Sequence, residues 1–209
     1  APGGSLLIQG ESGAGKSSLL RAVAGLWEEG SGEIRRVAEI FFLPQTPYLP
    51  IGERGRCTAL REQLLFPEAR AGDEALQAAL GEVGLGHLAG GLSEEEDWAT
   101  ALSGGEKQRL VLARLFLQLD AAGAPPLVLL DEATSACTEA MEARLYEALG
   151  RRLAASGGAV VSVGHRSSLR QHHEQHLQLE EADGAGGAPG AAGCRSRRRR
   201  KHAGRGDIE

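Results

Sequence analysis

Gly10-Glu-Ser-Gly-Ala-Gly-Lys16-Ser17 is the stretch on which the reading of this 209-residue chain turns. It has the form G-x-x-x-x-G-K-[ST]. Glycines at these positions let the backbone curl until successive N–H groups point into one concavity, which suits phosphate oxygens. Ser5-Leu-Leu-Ile-Gln9 just before it reads as a short buried strand. Ser17 through Trp27 just after it reads as a helix, with Leu19, Leu20, Val23 and Leu26/Trp27 recurring at spacings of three and four. A helix that begins at the loop adds its positive end to the same concavity. Lys16 can reach the outer phosphates, and the Ser17 hydroxyl suits Mg²⁺, a hard cation that prefers oxygen. The candidate phosphate-binding set is Gly10, Glu11, Ser12, Gly13, Ala14, Gly15, Lys16, Ser17 and Ser18.

Farther along, Leu127-Val-Leu-Leu-Asp131-Glu132 reads as an apolar strand that ends in two acids. In open parallel sheets ligands bind at the carboxyl ends of strands, so this strand delivers its carboxylates to the phosphate site. Asp131 is placed to hold Mg²⁺, and Glu132, one residue on, to polarise an attacking water. Between and beyond these motifs, Ala38–Leu43 and Ala159–Val163 read as further strands, and His176–Leu179 as a last one. Helical patterns occupy 58–66, 73–83 with Asp73 placed to cap, Ser103 to about Leu119, and Thr138 to about Ala154 with Met141, Leu145, Leu149 and Leu153 aligned. Gly84–Glu96 reads as a loop. Strands alternating with helices predict a parallel sheet with helices on both faces.

Composition narrows the class. Hydrophobic residues at 42% and charged residues at 24% are ordinary for a globular domain. No apolar run is long enough to cross a bilayer. Cys57, Cys137 and Cys194 are too scattered for a disulfide framework or a metal site, which favours a reducing compartment. Net charge is −5, unevenly spread: 16 basic against 26 acidic residues in 1–183, with seven basic against Asp207 and Glu209 from Gly184 on. An acidic body with a basic tail argues against a nucleic-acid partner. We divide the chain into one domain over 1–183 and a disordered Gly/Ala-rich, then Arg-rich tail over 184–209. Met141 is the only methionine, so the chain is expected to be either processed or a piece of a longer protein. His172, His173 and His176 are spaced like a polar helix and are not read as a metal site.

Leu102-Ser103-Gly104-Gly105-Glu106, followed by Lys-Gln-Arg-Leu, resembles the LSGGQ-type signature of ATP-binding cassette (ABC) proteins. Gln45, after the strand ending at Leu43, stands where that family has its Q-loop glutamine, and His165 where it has its switch histidine. With the phosphate loop and the strand ending at Asp131, five motifs follow the family's order over 5–180. The resemblance implies a P-loop NTPase sheet with a helical signature subdomain at about 58–119. It implies ATP and Mg²⁺ as cofactors, with Gln45, Glu132 and His165 catalytic and Ser17, Gln45 and Asp131 at the metal. It also implies a head-to-tail dimer in which Ser103, Gly104 and Gly105 face ATP held by a second ABC domain. In elementary terms, Ser103 reads as a helix N-cap and Glu106 completes a capping-box pattern.

Gly25-Leu26-Trp27, Phe42-Leu43-Pro44-Gln45-x-Pro47-Tyr48, Leu60 through Pro67 and Gly164-His165-Arg166-x-Ser168-Leu169 are most similar to class D, the peroxisomal and cobalamin-type half transporters and their bacterial relatives. That likeness implies an ATPase that powers transport, a transmembrane half as partner, and a place on the cytosolic face of a peroxisomal or other organellar membrane. The rival readings are a soluble ABC ATPase and a regulatory cassette that binds ATP with little hydrolysis. Departures from the family's pattern are the segment Ile51–Cys57, which resembles an insertion, and Thr138, where the common D-loop ends in Asp. The family's adenine-stacking aromatic precedes the phosphate loop, and only nine residues precede Gly10 here.

Overall fold

The structure is a computed structural model that describes residues 3–36, 39–52, 55, 57–67, 69–180 and 194–198. Its sheet runs in the order β2 (Ile40–Leu43), β5 (Leu127–Asp131), β6 (Ala159–Val163), β1 (Ser5–Gly10), β7 (Gln175–Leu179), β8 (Cys194–Arg198). The first five strands are parallel, in register pairs such as Leu43↔Leu130, Asp131↔Val163 and Ile8↔Val163. That register brings the carboxyl ends of β1, β2, β5 and β6 to one rim.

Alternation along each strand divides the core in two. Leu7, Val128 and Leu130 face one side, where α5 (Gly104–Ala121) and α6 (Glu139–Ser156) cover them with Leu112, Leu115, Phe116, Leu145 and Leu149. Ile8 and Leu129 face the other, against Leu19, Leu20 and Val23 of α1 (Lys16–Ala24). Helices therefore cover both faces, as the alternation of elements predicts.

The middle of the chain folds into α2 (Leu60–Leu65), α3 (Asp73–Glu82) and α4 (Trp98–Ala101), with a short antiparallel pair of β3 (Thr58–Ala59) and β4 (Glu95–Glu96). Leu60, Leu64, Leu76, Leu80 and Val83 are fully buried against Leu110 and Leu115 of α5. The indole of Trp98 ties α4 to β3 by donating to the Thr58 carbonyl at 2.7 Å.

Several boundaries differ from the sequence reading, each for a local reason. The first helix stops at Ala24 because Gly25 takes a left-handed conformation (φ 79°) and its N–H bonds back to the helix. Leu26 and Trp27 consequently leave the apolar face and are 65% and 46% exposed. The helix expected over 58–66 begins with two residues of strand, and the loop expected over 84–96 contains a 3₁₀ turn at Gly86–Gly91 and β4. Asp73 is not the cap of α3: Gly72 holds that position with no side-chain bond, and Asp73 pairs with Arg61 instead. The strand read from Ala38 is described from Ile40, Ala38 itself lying outside the described residues.

The segment from 184 on, expected to lack structure, supplies β8, antiparallel to β7 from Leu179↔Cys194 to Gln175↔Arg198. A parallel sheet leaves unpaired N–H and C=O groups along its last strand, and a run without Gly or Pro can satisfy them. The remainder of that segment lies outside the described residues.

Candidate functional site

The phosphate loop owes its shape to positive φ angles at Gly10 (154°), Gly13 (92°) and Gly15 (84°). At Gly10 a side chain would also run into the Leu179 carbonyl, so β7 packs flush against the loop. Gly15 is the N-cap of α1 and offers no side-chain cap, which leaves the first N–H groups of the helix for an external acceptor. Lys16 Nζ donates to the carbonyls of Gly10 (2.9 Å) and Glu11 (2.6 Å), arching its charge over the loop. Glu11, Ser12, Gly13 and Ser18 are exposed along the rim, and the Ala14 N–H closes a turn on the Glu11 carbonyl at 3.3 Å.

The two sequence motifs meet directly. Ser17 Oγ donates to Asp131 Oδ1 at 2.9 Å, although 114 residues separate them. Asp131 is 1% exposed. Burial pushes its carboxyl above the ordinary value and the Glu132 charge adds to this, while the Ser17 hydrogen bond opposes it. Its side-chain bond from Ser17 is the one it makes among the described residues. Two hard oxygens side by side, one of them on a buried carboxylate, fit a divalent cation.

Glu132 takes φ 51°, the left-handed region, and is the one non-glycine there among the described residues. Its backbone N–H is fixed by the Val163 carbonyl at 3.1 Å. Holding a glutamate in that region costs of order 1–3 kcal/mol, and such strain gathers where a side chain must be aimed. The carboxylate is aimed between two residues from neighbouring strand ends. Gln45 Nε2 donates to Oε2 at 2.8 Å, and His165 Nδ1 lies 3.2 Å from Oε1. That bond uses the Gln45 amide nitrogen and does not engage its amide oxygen. The structure thus unites Lys16, Ser17, Gln45, Asp131, Glu132 and His165 along one rim.

Ser103, Gly104 and Gly105 stand apart from that cluster. They open α5, where Ser103 Oγ donates to Glu106 Oε2 (2.6 Å) and the Ser103 N–H donates to the same oxygen (2.9 Å). These bonds hold the Glu106 carboxyl below its ordinary value. Among the described residues no hydrogen bond joins this helix start to the phosphate loop. It reaches the rim through Gln108, whose Nε2 donates to Ser135 Oγ (3.0 Å) and the Glu132 carbonyl (3.3 Å), and whose Oε1 accepts from the Ala136 N–H (2.8 Å). Gly105 packs so closely that a Cβ would lie 2.8 Å from the Ala136 carbonyl.

Sequence reasoning assigned no role to Gln108, Thr134, Glu142 or Arg166, all of which hold the loop after Glu132. Arg166 donates to the carbonyls of Ser135 and Cys137, both at 2.7 Å. The signal was a polar residue on an otherwise apolar helix face: Gln108 and Glu142 are 6% and 1% exposed. Thr138, standing where the family has Asp, caps α6 by accepting from the Met141 N–H at 3.3 Å. The three histidines share no helix. His172 ends a 3₁₀ turn and stacks on Tyr146, and His176 lies in β7. His173 is buried between the Leu169 carbonyl (2.8 Å) and Ser162 Oγ (2.9 Å), and burial lowers its pKa to about 4.

Residues 1–135 match the family described as ABC transporter. The chain is 47% identical over 187 residues to an uncharacterized ABC transporter ATP-binding protein of Synechocystis sp., covering 86% of this chain and 26% of that protein. It is 42% identical over 195 residues to the lysosomal cobalamin transporter ABCD4 of Mus musculus, covering 85% and 30%. A bacterial Atm1-family ABC exporter with ATP bound aligns with a TM-score of 0.69 at 26% identity, over 88% of this chain and 33% of the exporter chain. The chain belongs to the ABC transporter family and is a class D-like ATP-binding domain. It spans about a quarter to a third of the length of these relatives.

Proposed function

We propose, from that family membership, that the chain hydrolyses ATP to power transport by a class D-type half transporter. The observation that carries this reading is the clamp on Glu132, held between Gln45 and His165 beside the Ser17–Asp131 pair. Phosphoryl transfer to water asks little covalent chemistry of a protein, so positioning and electrostatics do most of the work. The loop amides from Gly10 to Ser18 and the Lys16 ammonium bind the phosphates. Ser17, Asp131 and the Gln45 amide oxygen are the residues that would hold Mg²⁺. That ion, when bound, neutralises charge developing on the β- and γ-oxygens.

Glu132 accepts a hydrogen bond from the attacking water and draws its proton as the new P–O bond forms. The bond between the γ-phosphorus and the β–γ bridging oxygen breaks, and ADP leaves with that electron pair. His165, 67% exposed at the rim, contacts the γ-phosphate. Ser103, Gly104 and Gly105 act on ATP in a second ABC domain of a head-to-tail dimer, because the α5 start lies away from the chain's own phosphate loop. No helix among the described residues is long and apolar enough to cross a membrane. On this reading a transmembrane half supplies the anchor and holds the domain at the cytosolic face of an organellar membrane.

Glu132→Gln tests the reading. It keeps the side-chain shape and the phosphate cradle, so Mg-ATP affinity should stay within about twofold while kcat falls by roughly 10²-fold or more. Undiminished turnover in that variant would show that another group activates the water.

A further inference from the structure

Glu142 is a carboxylate that the hydrolytic reading leaves unused, and it is 1% exposed in the first turn of α6. A buried carboxylate is tolerated only when its oxygens are bonded. Here Oε2 accepts from Thr134 Oγ1 at 2.8 Å and Oε1 accepts from Ser168 Oγ at 2.8 Å. Arg166 Nη1 lies 3.6 Å from Oε2, while its two terminal nitrogens donate to the Cys137 and Ser135 carbonyls.

The partners come from two different loops. Thr134 follows Glu132 by two residues, and Arg166 and Ser168 follow His165 by one and three. One carboxylate therefore ties the segment carrying Glu132 to the segment carrying His165. A crevice lined by Glu132, Glu142, His165 and Arg166 separates them, with a volume of about 10 Å³, no more than one small water can fill. The 3.2 Å approach of His165 to Glu132 depends on the relative placement of these two loops, because each of the two residues lies close to its loop's anchor.

We propose that Glu142 is a positioning residue: through Thr134, Ser168 and Arg166 it sets the spacing of Glu132 and His165. The inference rests on the hydrolytic reading for its kinetic consequence and on geometry alone for its structural one. A neutral amide at 142 keeps the volume and can still meet both hydroxyls, but it loses the attraction to Arg166. The two loops then separate without emptying the core.

The experiment compares the wild type, Glu142→Gln and Ser168→Ala by steady-state ATPase kinetics, ATP titration and ¹H–¹³C spectra of the histidine rings, with His165 assigned through His165→Ala. Glu142→Gln should lower kcat at least tenfold with the ATP Kd within twofold. Ser168→Ala, which removes one arm only and leaves Glu142 Oε1 without its donor, should lower kcat by a smaller factor and lower Tm by a few degrees. The His165 ring signals should move in both variants. A purely structural Glu142 would lower Tm while the folded protein kept its kcat and its His165 signals, and that result overturns the proposal. If the wild type binds ATP without turning it over, the hydrolytic reading fails by itself. The His165 signals then decide the positioning role: displaced signals uphold it and unmoved signals refute it.

Discussion

Two helices of this protein have glycine at their start, Gly15 capping α1 and Gly104 opening α5, and the sequence marks both as phosphate-facing, yet their first turns are chemically opposite. At α1 the N-cap is Gly15 in a left-handed conformation with no side chain to satisfy the helix's leading N–H groups. At α5 the N-cap is Ser103, and a complete capping box closes the turn through Glu106. The first is open to an anion, since it has no side-chain cap and the positive end of the dipole favours negative charge there. The second already holds a carboxylate and is self-sufficient as a piece of structure. An open helix start binds by its own geometry, whereas a capped one contributes to a site only when something is brought to it. That contrast matches the roles proposed here, with α1 binding this chain's ATP and α5 meeting the ATP of another copy.

The open end should be the more sensitive. Lys16→Ala removes the ammonium that arches over Gly10 and Glu11. Two charge-assisted contacts to phosphate are worth roughly 3 kcal/mol together, so ATP affinity should fall about a hundredfold. Calorimetric titration measures this, and unaltered affinity would mean that the glycine loop does not hold the nucleotide.

Next in size is Gly105→Ala. Gly15 and Gly105 are both required, for different reasons. A Cβ at Gly15 meets no atom, and only its φ of 84° is unfavourable; a Cβ at Gly105 has no such angle to contend with but comes within 2.8 Å of the Ala136 carbonyl. Overpacking of that kind costs about 1–3 kcal/mol, and the backbone shift reaches the loop that follows Glu132. We expect Tm to fall by about 2–10 °C in a domain of this size, with turnover lost beyond what the melting explains. A variant with normal Tm and normal turnover would mean that α5 does not press on that loop.

What the sequence displayed and what it concealed follow the same division. Residues whose identity is set by backbone demands or by chemistry at a rim stood out one by one. Gly10, Lys16, Ser17, Asp131 and Glu132 form short contiguous motifs, and Gln45 and His165 sit just past strands. Their meeting within 2.8–3.2 Å follows from parallel register, which a strand–helix alternation already implies. The supporting residues were hidden because their partners are remote in sequence. Gln108 grips residues 132–136, and Glu142 grips both Thr134 and Ser168. Periodicity treats each as a polar break in an apolar face and carries no record of the partner. It also ran the first helix on to Trp27, since apolar spacing is blind to the left-handed turn at Gly25.

The capped end should respond more mildly, first in stability. Ser103→Ala removes the side chain that accepts from the Glu106 N–H at 3.4 Å and donates to its carboxylate. Loss of an N-cap costs about 1 kcal/mol, or roughly 2–4 °C in Tm for a domain of this size. ATP affinity of the isolated domain should not change, because the cap lies off its own phosphate site. A large loss of affinity in dilute, monomeric protein would put Ser103 in the chain's own site and undo the contrast between the two helix starts.

The smallest effect tests what the capped end faces. Glu106→Gln preserves an amide oxygen to accept from the Ser103 N–H, so the capping box survives as S-x-x-Q. What disappears is one negative charge, favourable toward the α5 dipole by about 0.3–1 kcal/mol and unfavourable toward any phosphate presented there. His87, 3.5 Å from the other carboxylate oxygen, loses its partner at the same time. Stability should therefore fall slightly, by about 1–3 °C in Tm. Association with a second ATP-loaded copy should tighten instead, because removing a repulsion of roughly 0.5 kcal/mol at solvent-exposed distances amounts to about a twofold change in Kd. Sedimentation in the Glu132→Gln background, with ATP present and at two salt concentrations, reads this directly. The gain should be larger at low salt, where screening is weaker. Association that weakens or stays constant at both concentrations would mean that no phosphate approaches the α5 start, and the head-to-tail arrangement would have to be abandoned.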